Sequence, residues 1–121
     1  MILKKQNLKI ATILPYKENY TFDKASAASL WVAEFYKKSK FKKNIYIYGF
    51  TKSKKYLTKN YININLKSLK SKLISTTQEY IKKLTKEILN KKFDLIEIHN
   101  RPLILIGLTK KLDNKFIFYF H

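Results

Sequence analysis

A chain of 121 residues fits one compact domain with a single core. With 45% hydrophobic and 15% aromatic residues, two glycines and two prolines, it is not a disordered, collagen-like or linker polypeptide, and without cysteine it has neither a disulfide scaffold nor a thiolate metal site. Its 26 basic residues against 8 acidic ones give a net charge of +18, which brings a polyanionic partner into consideration; yet Arg101 is the only arginine, so the bidentate fork that grips phosphates and base edges is nearly missing, and a bias toward Lys, Asn, Ile and Tyr accounts for the excess more simply.

The pattern along the chain alternates strand and helix signals, with no repeat and no low-complexity linker. Leu8 to Leu14 reads as a first strand, closed by Pro15, which cannot donate to a ladder. A polar loop from Tyr16 to Asp23 follows, in which Thr21 or Asp23 is placed to cap a helix from about Lys24 to Lys38. Ala28, Trp31, Val32 and Phe35 form its apolar stripe, so Trp31 and Phe35 are expected in the core. Asn44 to Phe50 is the second strand, Thr51 to Lys59 a basic solvated loop, and Tyr61 to Asn65 a short third strand near an edge.

A long amphipathic helix is expected from about Leu66 to Asn90, with Leu66, Leu69, Leu73, Tyr80, Ile81, Leu84 and Ile88 on one face and lysines elsewhere. Phe93 to His99 is the fourth strand. Asn100 then caps a helix in which Pro102 occupies the first turn, and Lys115 to His121 is the fifth strand. The order implies one α/β domain over residues 1–121, a three-layer Rossmann-like fold with a mainly parallel five-stranded sheet in the order 3-2-1-4-5 and helices on both faces. No apolar run approaches the roughly 20 residues of a spanning helix, and none has the flanks of an export signal, so the expectation is a cytoplasmic protein.

Open parallel sheets bind ligands beyond the carboxyl ends of their strands, where the strand order reverses. That rule points to the gap between the first and fourth strands. The loop after Leu14 would there face His99, Asn100 and Arg101, with His121 closing the next strand. Several chemistries are excluded by what is missing. The first loop has no glycine for a dinucleotide cradle, no phosphate-binding glycine loop or serine elbow occurs, and the two histidines lack the spacing of a helical zinc site. An anion-friendly helix start at Asn100 to Leu103 and two imidazoles are left. Glu97 shares strand parity with His99 and is either a structural or a functional partner; Arg101 could equally be a solvated helix-start residue or a partner of Glu97 or Asp94.

The stretch Phe93-Asp94-Leu95-Ile96-Glu97-Ile98-His99-Asn100-Arg101-Pro102, followed by a helix and by Lys115-Phe116-Ile117-Phe118-Tyr119-Phe120-His121, resembles the amino-terminal domain of family 4 retaining glycosyltransferases. Ala25-Ser26-Ala27-Ala28-Ser29-Leu30-Trp31-Val32 falls where their first helix lies. The resemblance spans nearly the whole chain, and its sharp part is the ten residues from Phe93 to Pro102. These enzymes join two facing Rossmann-like halves (the GT-B fold). Members of the kind resembled here build lipopolysaccharide and other envelope polysaccharides.

The resemblance implies that this chain is the acceptor-binding half of such an enzyme, lacking the donor-binding half and inactive alone. His121 would be the histidine lining the reaction cleft, and His99, Asn100, Arg101, Tyr16 and Lys17 would hold the acceptor. The donor would be a nucleotide-sugar, the acceptor an envelope glycan or glycolipid, and neither cofactor nor metal would be needed. The lysine excess would then hold the protein at the inner face of an anionic membrane. Where relatives commonly carry a Gly-Gly pair in the first loop, Tyr16, Lys17, Glu18 and Asn19 stand, which argues against donor contact there. His121, as the final residue, is expected to fray, and apolar surface left bare could support a homodimer. The alternative from another class is a lysine-rich nucleic-acid-binding domain.

Overall fold

The computed structural model describes residues 8–52, 54–67 and 75–121. Five strands, β1 (Ile10–Ile13), β2 (Ile45–Gly49), β3 (Tyr61–Asn63), β4 (Leu95–His99) and β5 (Lys115–Tyr119), form one sheet in the order β3-β2-β1-β4-β5. Every neighbouring pair runs parallel, so the expected architecture holds and the sheet is wholly parallel. All four residues of β1 are buried, as a central parallel strand covered on both faces requires.

Side-chain parity divides the core into two layers. Ala11, Ile13, Ile96 and Ile98 pack against α2 (Thr76–Lys91) and α3 (Pro102–Thr109) through Tyr80, Leu84, Ile88, Ile104 and Leu108. Ile10, Leu14, Ile45 and Ile47 point the other way, against Ala28, Val32 and Ala33 of α1 (Ala27–Lys38). Thr12, Glu97 and His99 share the parity of Ile10 and Leu95, so they lie in the α1 layer, and the register pairs Thr12 with Glu97 and His99 with Tyr119.

The helix starts differ from the sequence expectation for local reasons. Ser26, not Thr21 or Asp23, caps α1: its hydroxyl accepts from the Ser29 N–H at 3.1 Å. Thr21 is instead fully buried in an isolated antiparallel bridge with Tyr56. Helix α2 begins at Thr76 behind a capping box, in which Ser75 accepts from the Gln78 N–H at 3.0 Å and Gln78 accepts from the Ser75 N–H at 3.2 Å. Leu66 is therefore not helical; it enters the core from the segment after β3. The expected helical positions Leu69 and Leu73 lie outside the described residues. Both carboxylate oxygens of Glu79 accept from the Lys67 N–H, at 2.9 and 2.8 Å, tying that segment to α2.

Helix α3 has Pro102 in its first turn, but Asn100 does not cap it. Arg101 is the N-cap, with φ 48° and no side-chain bond to the helix, and Asn100 precedes it at φ 54°. Two successive non-glycine residues in the left-handed region cost on the order of 1 kcal/mol each or more, and both sit at the carboxyl end of β4.

Leu84 is fully buried where α2 meets the sheet, whereas Leu103 on α3 is 64% exposed. In urea unfolding, Leu84→Ala should lower stability by about 3 kcal/mol through lost transfer energy and the cavity left behind, and Leu103→Ala by less than about 0.5 kcal/mol.

Candidate functional site

At the carboxyl ends of β4 and β5 the two histidines meet. His99 Nδ1 and His121 Nε2 lie 2.8 Å apart, and their rings are 5.0 Å apart between centroids with planes 17° from parallel. His99 is fully buried and its ring stacks on Tyr119 at 4.7 Å. His121 is held at a second atom as well: its backbone N–H donates to Asn100 Oδ1 at 2.8 Å. Asn100 thus spends its side chain on the His121 backbone instead of the helix start.

The Nε2 atom of His99 is buried without a hydrogen-bond partner. A buried lone pair without a partner is tolerated better than a buried N–H without an acceptor, which assigns the His99 proton to Nδ1, from which it donates to His121 Nε2. His121 then carries its own proton on Nδ1. Burial, with the charge on His121 second, pushes the His99 pKa down to about 3, so His99 stays neutral and does not itself deliver protons near neutral pH. Its place in the pair is to fix the tautomer and orientation of His121.

Beside the pair, Glu97 is buried and accepts from Thr12 Oγ1 at 3.1 Å and from the Tyr119 hydroxyl. Burial raises the Glu97 carboxyl above its ordinary value, and the two hydrogen bonds pull it partly back. Tyr119 is raised by burial, then by the charge and hydrogen bond of Glu97. Over this layer hangs Trp31, whose ring lies 5.5 Å from His99, 5.3 Å from Tyr119 and 5.5 Å from His121. Trp31 and Phe35 stack on each other at 5.2 Å and are 40% and 44% exposed, so they form a rim over the site and not the core expected of them.

The lone guanidinium does not join the imidazoles. Arg101 stands 5.2 Å over the ring of Tyr16 and pairs with neither Glu97 nor Asp94 among the described contacts. Tyr16 leans toward α2, packing edge-on against Tyr80 at 5.6 Å, with its hydroxyl 3.1 Å from Thr77 Oγ1. The carboxyl rim therefore carries two groupings, an imidazole and aromatic cluster on the α1 side and the Arg101–Tyr16 contact on the α2 side. Lys17, next to Tyr16, lines a cavity of about 360 Å³ together with Asn19, Lys24, Phe50 and Lys52.

The loop after β1 is tied down further along. Tyr20 is fully buried, stacks on Tyr61 at 4.9 Å and donates its N–H to Thr51 Oγ1 at 3.0 Å. Among the described residues, no three His, Asp or Glu side chains gather as a metal-binding set. No protein-family model, curated protein or solved structure matches the chain.

Sequence reasoning named His99, Asn100 and His121 but missed Thr12, Trp31 and Tyr119. Strand parity was the available signal for two of them: Thr12, Glu97, His99 and Tyr119 fall on one face once the strand order is fixed.

The buried histidine gives a pH dependence of definite sign. An unfolded histidine takes up a proton near 6.5 and folded His99 only near 3, so the unfolded chain binds more protons between these values and stability falls as pH is lowered through them. Glu97, raised in the folded state, acts oppositely just above 4.5. Urea unfolding from about pH 7 down to about pH 5 should show this loss, at most about 1.4 kcal/mol per pH unit for this group. The slope should flatten in His99→Gln.

Proposed function

We propose that the chain forms the acceptor-side domain of a retaining glycosyltransferase, which moves a sugar from a nucleotide-sugar to an envelope glycan or glycolipid. The observation that carries this reading is the His99–His121 pair at the carboxyl ends of neighbouring parallel strands, backed by a buried carboxylate and roofed by an exposed indole. Open parallel sheets recruit ligands at that edge, and an exposed aromatic face suits the apolar side of a sugar ring.

In this reading His121 meets the reacting sugar. With its Nε2 engaged by His99, its Nδ1–H is a fixed donor for a sugar hydroxyl or for an oxygen gaining negative charge as the nucleoside diphosphate departs. His99 is a positioning residue, since it is buried and neutral. Asn100 holds the His121 backbone, while Tyr16, Lys17 and Arg101 bind the acceptor from the α2 side of the rim. The donor and the acidic group that completes transfer would come from a second, facing half. Among the described residues no helix is long and apolar enough to cross a membrane. A cytoplasmic enzyme held at the inner membrane face by its lysines fits both that and the net charge of +18. The nucleic-acid alternative gains nothing from Arg101, whose guanidinium is already stacked on Tyr16.

The reading frame beyond His121 should encode a second Rossmann-like half with an acidic motif. In the enzyme so completed, release of nucleoside diphosphate from a panel of nucleotide-sugars should fall about a hundredfold in His121→Ala, the usual cost of losing one preorganised donor, with the melting temperature nearly unchanged. His99→Ala is the poorer probe because it leaves a buried cavity. An unrelated continuation, or undiminished transfer in His121→Ala, overturns the reading.

A further inference from the structure

The cavity beside Tyr16 is a better-built site than the resemblance alone requires. Its lining comes from three segments that meet at the carboxyl edge of the sheet: Tyr16, Lys17 and Asn19 from the loop after β1, Phe50 and Lys52 from the exit of β2, and Lys24 from the approach to α1. Three lysines and no acidic residue line about 360 Å³. None of the three lysines takes part in an ion pair among the described residues, whereas the two described salt bridges both lie along α2.

Cations gathered around one concave space repel each other, and an anion seated between them relieves that repulsion. The cavity also has a fixed wall. Tyr16 is held by Thr77 and Tyr80, with the Arg101 guanidinium over its ring as a fourth cation nearby. Phe50 supplies a second aromatic surface and Asn19 an amide able both to donate and to accept. Lysines for charge, aromatic faces for a ring and an amide for hydroxyls together match one class of ligand.

We propose that this cavity binds a phosphate ester of a polyhydroxylated ring, presented either as a soluble sugar phosphate or as the phosphorylated headgroup of a lipid. The phosphate lies among Lys17, Lys24 and Lys52, and the ring rests against Tyr16 and Phe50. This gives the acceptor of the proposed transfer its chemistry and in that respect rests on that reading. The binding is measurable without any transfer, so the two can fail separately.

The molecule contains its own control. A second cavity, between α2 and α3, is also lined by three lysines, Lys82, Lys110 and Lys111, but it has no aromatic residue in its lining and lies away from the strand ends. If affinity came from net charge alone, both cavities would serve equally.

The test is a titration of the 15N-labelled protein with glucose 6-phosphate and with glucose, alongside sedimentation with phosphatidylcholine vesicles with and without a phosphatidylinositol phosphate. Two variants of equal charge change are compared, Lys17→Glu/Lys52→Glu and Lys82→Glu/Lys110→Glu, each first shown to melt like the parent. The expected result is a set of amide shifts confined to the segments of Tyr16, Asn19 and Phe50 with glucose 6-phosphate and absent with glucose. Affinity should drop about tenfold or more in the first variant, comparable to losing one charge-assisted hydrogen bond, and stay unchanged in the second. Binding only to phosphoinositide vesicles, with the same discrimination between variants, also supports the proposal and identifies a lipid headgroup as the source. Equal weakening by both variants, shifts spread over the surface, or no response to either ligand overturns it.

Discussion

A wholly parallel sheet has to be covered on both faces, and among the described residues one face has two helices while the other has one. That imbalance organises the rest of the molecule. Helix α1 reaches across β1 and β2 with small residues, Ala28, Val32 and Ala33, and this close approach leaves β4 and β5 without helical cover on the same side. The strand residues there are accordingly not an aliphatic layer. Thr12, Glu97 and Tyr119 satisfy one another by hydrogen bonds, His99 satisfies one nitrogen through His121, and Trp31 leans out from α1 to shelter them. A polar cluster of this kind costs stability relative to an apolar layer, and the shifted Glu97 and His99 are the expression of that cost.

Much of this was legible in the sequence because strand periodicity and turn punctuation are local. The five strands and three helices follow from apolar runs broken by Pro15, Gly49, Pro102 and the Asp113-Asn114 turn, and the sheet order then follows from the alternation of strands and helices, which admits few right-handed arrangements. Strand lengths were overestimated at their ends, where β1 closes at Ile13 and β4 opens only at Leu95, since side-chain pattern continues past the last ladder bond. The α2 start was misjudged because Leu66 belongs to the core without belonging to the helix, a distinction hydrophobicity alone does not make.

The site was legible only in part, and for a related reason. Trp31 and Phe35 sit at helical spacing with Val32, which marks a broad apolar arc, but whether the outer edge of such an arc is buried depends on how far the opposing sheet extends beneath it. Here it extends past the helix, so the edge becomes a rim. The partnership of Asn100 was illegible because an asparagine before a proline satisfies the rule for a cap, and only the nearby end of β5 offers the competing His121 N–H.

Asn100 and Arg101 bring the two halves of the rim into one argument. Both hold left-handed backbone angles at the end of β4, and their side chains go to different partners: Asn100 to His121 on the α1 side, Arg101 to Tyr16 on the α2 side. One strand end is thus shared between the imidazole cluster and the Tyr16 side of the rim. The two are also chemically complementary. The imidazole side is aromatic, with a neutral His99 and a buried Glu97, suited to hydroxyls and ring faces, and the Tyr16 side gathers cations suited to an anion. Among the described residues most lysines lie elsewhere, on loops and helix surfaces, so charge alone does not single out the Tyr16 side. What distinguishes it is placement: three lysines line one concave space beside Tyr16, at the edge where parallel sheets bind ligands, and Tyr16 carries Arg101, the neighbour of the Asn100 that holds His121.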